Sequence, residues 1–437
     1  MEPIHYRVAP LFGCDPELFI EAPSGEVIGA EKAIPKEGIV LPPPTGPGWA
    51  SNPHPHDPNA PKVVLDGVQI ELHPRPDTCR ARMSNEISVI FQKLKEQLEA
   101  KKLKASFNPV IEVSKEELES LSEESRKLGC AKSENAHDST ATINVNPDTY
   151  LTRSAGGHIH IGLTQYPELM KQRVELVWLL DAMLGNTCVM IDRDPHAAKR
   201  REVYGRAGEY RLPNYGLEYR TLSNFWLLNY KLMSMVFGIA RLAVNIFDQS
   251  RIVLEDLEWA KTHDGKLKAT RYSSSYGYYH MIAQAPEGTL IDHVGELKAK
   301  LDLEKVVRAI NKNDLELAKE NWAIVKDWLY PILPPAHDSF ALAQSMMESF
   351  QFFLDQIEKH GLRRWFREDP MTHWCSKPDG HGSGFETFLR NTVRPSRQRS
   401  ESMSKLAKTK KDLAAARQLV PPNATCNEVT DELEEGD

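Results

Sequence analysis

The clearest period along the chain is two, the spacing of a strand whose successive side chains point to opposite faces. In "LFGCDPELFIEAP" (residues 11–23) Leu18 and Ile20 share one face while Asp15 and Glu17 share the other. Pro16 removes a ladder hydrogen bond, which predicts a sheet edge or a strand start. "KVVLDGVQIELHPRP" (62–76) reads as a hairpin: Asp66-Gly67 is a turn signal, after which Val68, Ile70 and Leu72 alternate with Gln69, Glu71 and His73. "GGHIHIG" (156–162) and "LEYRTL" (217–222) alternate in the same way. His158 therefore shares a face with His160, and Glu218 with Arg220.

Helical spacing takes over between these strands. "SNEISVIFQKLKEQLEAKK" from Ser84 has a capping residue, a periodic apolar stripe and a basic end. "SKEELESLSEESRKLG" is predicted as a short helix capped by Ser114 and stopped by Gly129, and "CAKSENAHDSTATINVNP" as turns leading to a strand that ends at Pro147. "YPELMKQRVELVWLLDAMLGNTCVMID" (166–192) predicts one long helix covering the sheet. The run Phe225 to Phe247 holds Asn229, Lys231, Arg241 and Asn245, which predicts a buried or amphipathic helix, not a membrane span. From about Leu290 helices dominate, through "VGELKAKLDLEKVVRAINKNDLELAKENWAIVKDWLY" and, after "PILPPAHD", "SFALAQSMMESFQFFLDQIEKHG".

The division expected is a catalytic region over 1–289 with a proline-rich loop at 35–61, a helical region over 290–375, and a charged tail over 376–437. The loop holds nine prolines with His54, His56 and Asp57, a poor preorganised metal site. The tail has eight basic and two acidic residues from Arg394 to Arg417, then six acids and no base from Asn427 to Asp437. Opposed blocks of this kind suit a flexible tail or one that contacts a partner.

Composition narrows the classes. Of 437 residues 41% are hydrophobic and 26% charged, as in ordinary globular proteins. A net charge of -7 argues against nucleic acid as a partner. The six cysteines are scattered without a C-x-x-C pair, and "MEPIHYRVAPLFG" has no signal-peptide pattern, so a cytoplasmic protein with reduced thiols and no membrane association is expected. Oligomeric state is left open.

Candidate chemistry concentrates between Gly156 and Asn224, where two histidines, Glu218 and the arginines Arg206, Arg211 and Arg220 converge. Carboxylate and imidazole can hold a divalent cation, and arginine forks suit phosphate oxygens. The basic run Arg193, Lys199, Arg200, Arg201, Arg206 and Arg211 would ordinarily be a solvated face. Its place between a histidine strand and a carboxylate strand favours an anionic ligand.

Taken in order, "GCDPELF", "DGVQIEL", "GGHIHIG" and "YGRAGEYR...YGLEYRTLSN" resemble the phage-type carboxylate-amine ligases (amidoligases), grouped with glutamate-cysteine ligase and glutamine synthetase. The resemblance covers roughly residues 10 to 235. It implies an α+β fold, a curved antiparallel sheet with outer helices, whose concave face holds two or more Mg2+ ions and ATP. Implied metal ligands are Glu17, Asp66, Glu71, His158 and Glu218. Asp15, His160, Arg206 and Arg211 would contact the nucleotide, and Arg206, Arg211 and Arg220 would stabilise the transferring phosphoryl group. Small-molecule or peptide carboxylates and amines would be joined through an acyl phosphate, in the host cytoplasm if the chain is phage-encoded.

Two other classes are compatible with the residues. In a zinc hydrolase, His158 and His160 would bind the metal and Glu218 would act as general base. In a non-catalytic phage structural or assembly protein, the charged tail would carry the function.

Overall fold

The chain changes sheets at Asp15-Pro16, and that change sets the architecture. The computed structural model describes residues 8, 10–41, 60–78, 80–128, 133–138, 146, 149–192, 194–250, 259–261, 267–269, 292–332 and 369–375. The stretch predicted as one strand is two, β1 (Leu11–Cys14) and β2 (Glu17–Glu21). Proline cannot donate to a ladder, so pairing stops on one side of it and restarts on the other. The remaining strands are β3 (Val27–Ile28), β4 (Ile39–Val40), β5 (Lys62–Asp66), β6 (Gln69–His73), β7 (Lys104–Ser106), β8 (Val110–Glu112), β9 (Glu134–Asn135), β10 (Thr152–Ser154), β11 (Ile159–Gly162), β12 (Glu209–Arg211) and β13 (Gly216–Tyr219), with a ribbon of β14 (Trp259–Lys261) and β15 (Leu267–Ala269).

One sheet runs β1-β11-β13-β12-β9 and the other β3-β2-β6-β5-β4, with β7 also on β2; β8 and β10 form a separate pair. All pairs are antiparallel, in an α+β fold whose sheet curls into a half-barrel. The predicted hairpin forms with Asp66 opposite Gln69, and Gly67 takes a φ of 62° that a side chain would resist. At the junction Glu17 N donates to Gly156 O (2.9 Å) and Leu72 N to Pro16 O (3.0 Å), fastening the sheets beside the break.

Hydrophobic alternation fixes which face looks where. Ile159, Ile161 and Leu217 are buried against the helices, as are Leu18, Ile20, Ile70 and Leu72. A one-residue slip of β11 would expose two isoleucines, each contributing about 1.5–3 kcal/mol by burial, and drive two imidazoles into the core. The register is thereby fixed, with the histidines on the opposite face.

The helix expected over 166–192 is divided. It comprises Pro167–Lys171, Arg173–Leu180, a π turn at Asp181–Gly185 and Asn186–Ile191. Gln172, at φ -112°, separates the first two. The expected helix after Ser114 is likewise two, Lys115–Ser120 and Glu123–Arg126, each with a serine hydroxyl accepting at its N-cap. Tyr230–Gln249 is a largely buried helix. It and Arg173–Ile191 are apolar enough to span a membrane by composition, but they lie mostly inside the fold.

Further on, His293–Lys298, Leu303–Lys312 and Leu315–Leu329 start at the aspartate caps Asp292, Asp302 and Asp314. Ile310, Trp322 and Val325 join the same core, and Asn321 donates to Asn186 (2.9 Å). The strand expected to end at Pro147, most of the proline-rich loop with His54, His56 and Asp57, the stretch 339–361 and the tail from 376 lie outside the described residues.

Candidate active site

Asp15, at the sheet change, holds both histidines. Its Oδ1 meets His158 Nδ1 (2.9 Å) and its Oδ2 meets His160 Nε2 (3.1 Å). His160 stands opposite Glu218 across the β11–β13 pair, and Glu218 opposite Arg211 across the next. Glu218 Oε1 accepts from Arg211 Nε (3.0 Å) and Nη2 (2.6 Å), with Arg220 Nε at 3.4 Å and His158 Nδ1 at 3.6 Å. These contacts all run to Oε1. One donor atom each from Asp15, His160 and Glu218 falls within 4.8 Å of the others. Two carboxylate oxygens and an imidazole nitrogen fit a hard divalent cation. His160 Nδ1 also meets the Tyr215 hydroxyl (2.8 Å), so with its proton on Nδ1 the ring can offer Nε2 to a metal.

A second group of acids belongs to the other sheet. Buried Glu17 stands opposite Glu71, and its Oε2 accepts from Gln69 Nε2 (2.7 Å) and Gly156 N (2.6 Å). Gln69 Nε2 also reaches Asp66 (3.5 Å), while Glu71 pairs with His73 (3.2 Å). Burial, then the charges of Asp66 and Glu71, push the Glu17 carboxyl well above the usual range. Burial, then Asp15, raises Asp66. Glu71 is pushed up to about 7 by burial and by Asp15 and Asp66, against the pull of His73. Asp15 behaves differently: burial alone would raise it, but His160 and His158 together hold it well below the usual range. Burial, with the Arg220 charge, lowers His158, whereas Asp15 and Glu218 outweigh burial and raise His160. Acids that resist ionising together in the bare protein are what a bound cation would favour.

The expected ligands are thus distributed over two facing groups. Asp15, His158, His160 and Glu218 meet around β11, and Glu17, Asp66 and Glu71 cluster on β2, β5 and β6. Both ring nitrogens of His158 are engaged by the protein, Nδ1 by Asp15 and Nε2 by the Tyr204 hydroxyl. Arg211 and Arg220 converge on Glu218, whereas Arg206 is held by Glu209 (2.8 Å).

Tyr204 is the residue that pattern reading missed. Its hydroxyl touches His158 Nε2, reaches Glu17 Oε1 (3.4 Å) and accepts from Arg220 Nη2 (3.0 Å), joining the two groups. The guanidinium carbons of Arg200 and Arg220 lie 4.7 and 5.2 Å from its ring centre. Its place in "YGRAGEYR", just before a glycine, was the available signal. Gln69 and Tyr215 were missed too, because neither lone side chain announces a role in one sequence. The expectation of a solvated face is corrected for Arg200 and Arg201, which are both buried. Arg200 is buried and donates to the carbonyls of Ala155 (3.0 Å), Thr221 (3.1 Å) and Leu222 (2.8 Å), and Arg201 to Asn313 Oδ1 (3.0 Å).

Comparison with known proteins agrees with the resemblance. Residues 136–313 match the family model "Phage phiEco32-like COOH.NH2 ligase-type 2". The match contains the "GGHIHIG" and "YGRAGEYR...YGLEYRTLSN" blocks. It leaves out "GCDPELF" and "DGVQIEL" and continues through the helix ending at Lys312. No protein of curated function matches the chain. Among solved structures, one described as "Apo GmaS without ligand" shares 15% identity over 73% of this chain and 69% of that one, with a TM-score of 0.30.

Proposed function

Starting from a segment over 136–313 that matches the phage-type carboxylate-amine ligases, we propose that the protein is an ATP- and Mg2+-dependent ligase forming an amide or peptide bond. The carrying observation is the convergence of Asp15, His160 and Glu218 donor atoms within 4.8 Å, beside Arg211 and Arg220. Divalent cations, when bound, supply charge neutralisation for phosphate oxygens. Asp15, His160 and Glu218 would hold one, and Glu17, Glu71 and Asp66 would hold others. Asp15 orients both imidazoles, Tyr204 locks His158, and Arg211 and Arg220 present positive charge where phosphoryl oxygens would lie.

In the first step the substrate carboxylate attacks the γ-phosphorus and ADP leaves. In the second the amine attacks the acyl phosphate, inorganic phosphate leaves and the amine gives up a proton. Positioning and electrostatics account for most of the rate. A peptide, a cell-wall precursor or a protein side chain would suit the family's setting, as would the cytoplasm of an infected cell. The hydrolase reading is disfavoured because one imidazole, not two, joins the cation trio.

Mass spectrometry of pooled amines and carboxylates incubated with the protein, ATP and Mg2+ tests the proposal. A product lighter than the sum of one amine and one acid by one water, formed only with ATP, is expected. Hydrolysis products formed without nucleotide would overturn it.

A further inference from the structure

Behind β13, on the face away from the proposed cation site, lies a carboxylate to which the reaction assigns no part. Asp181 is fully buried and opens the π turn Asp181–Gly185. Its Oδ1 accepts from the Tyr219 hydroxyl (2.6 Å) and lies 3.3 Å from Thr221 Oγ1, while its Oδ2 meets His137 Nε2 (2.7 Å). Burying a carboxyl there is expensive compared with an apolar side chain. A π turn in the middle of a helix is a departure that often marks a functional requirement. The turn also needs Gly185: a Cβ at that position would lie 2.5 Å from the Tyr219 hydroxyl and 3.2 Å from Asp181 Oδ1.

What the carboxyl grips is informative. Tyr219 lies between Glu218 and Arg220, and Thr221 follows Arg220, so strand alternation sends Tyr219 and Thr221 backward and Glu218 and Arg220 forward. Thr221 Oγ1 also lies 3.1 Å from Arg206 O, in the loop that leads to Arg211. His137 follows β9, the strand beside β12. A single carboxyl thus gathers the back of the strand bearing Glu218, the approach to its arginine partner and the sheet's edge.

We propose that Asp181 is a positioning residue: through Tyr219 and Thr221 it sets the twist of β13 and so aims Glu218 and Arg220 into the front site. This rests on the reading of Glu218 as a cation ligand, and the test separates the two. Mn2+ binding to the full chain is measured by paramagnetic resonance for wild type, Asp181→Asn, Tyr219→Phe, Glu218→Gln and Ser88→Ala. Ser88, on the helix Arg80–Ala100, is buried and donates to Trp374 O (2.7 Å), outside the Asp181 network, so its truncation controls for general loss of stability.

Asp181→Asn is expected to weaken Mn2+ binding about tenfold, the low end of effects on groups that orient a ligand, and Tyr219→Phe about threefold or more. Ser88→Ala should leave the dissociation constant unchanged. Tyr219→Phe keeps the test decisive if Asp181→Asn does not fold. Binding within about twofold of wild type in both variants, while Glu218→Gln weakens it about tenfold or more, overturns the positioning role alone. Equal weakening in Ser88→Ala also overturns it. Unchanged binding in Glu218→Gln removes the cation reading and the inference together.

Discussion

Replacing Glu71 by glutamine gives the most quantitative consequence of the buried acid cluster. The Glu71 side chain is 17% exposed, and its carboxyl titrates at about 7 rather than 4.5. That difference corresponds to about 3 kcal/mol. The sign follows from where the proton is held more tightly. Below 4.5 the carboxyl is protonated in folded and unfolded chains alike and there is no penalty. Between 4.5 and about 7 the unfolded chain ionises first and native stability falls, and above 7 the full penalty persists.

Urea unfolding in EDTA across this pH range should show wild type losing about 3 kcal/mol more than Glu71→Gln, with the variant more stable at pH 7.5. Saturating Mg2+ at pH 7.5 should reverse that order by stabilising the ionised wild-type cluster. Equal pH slopes in the two proteins would refute the reasoning, because they would mean that Glu71 does not carry the penalty.

Other residues give sharp outcomes. A Cβ at Gly156 would lie 2.4 Å from His158 Nε2 and 2.9 Å from the Tyr204 hydroxyl, so Gly156→Ala should cost about 1–3 kcal/mol in urea unfolding and depress ADP formation. Arg200→Met removes the donor to three carbonyls and should destabilise by about 3 kcal/mol or more, read from the same unfolding curves. His54→Ala and His56→Ala should leave ADP formation close to wild type in a coupled assay.

Strand faces were legible because period two is a property of the chain itself. The β5–β6 hairpin, the histidine strand and the Glu218 strand all follow from alternation of a few residues. The partners of β1 and β2 were not legible. Asp15 and Glu17 alternate as they would in one strand, yet the Pro16 break sends β1 to a partner at Ile159–Gly162 and β2 to Glu71. The π turn was hidden for a related reason: "DAMLG" has good helical periodicity, and the widening accompanies Asp181's bonds to Tyr219 and His137, distant in sequence. Arg200 looked solvated because local composition does not reveal that the carbonyls of Ala155, Thr221 and Leu222 surround it. At the site the charged residues were visible, whereas Tyr204 was not. Its importance comes from where its hydroxyl ends, between His158, Glu17 and Arg220.

The most direct test is Mg2+-dependent ADP formation, followed with a pool of candidate amines and carboxylates, in wild type, Glu218→Gln on β13 and His160→Ala on β11. The account predicts turnover in wild type that vanishes with EDTA and in both variants, while circular dichroism stays native. Full activity in either variant, or ADP release indifferent to Mg2+, would contradict a cation cage built from these two strands.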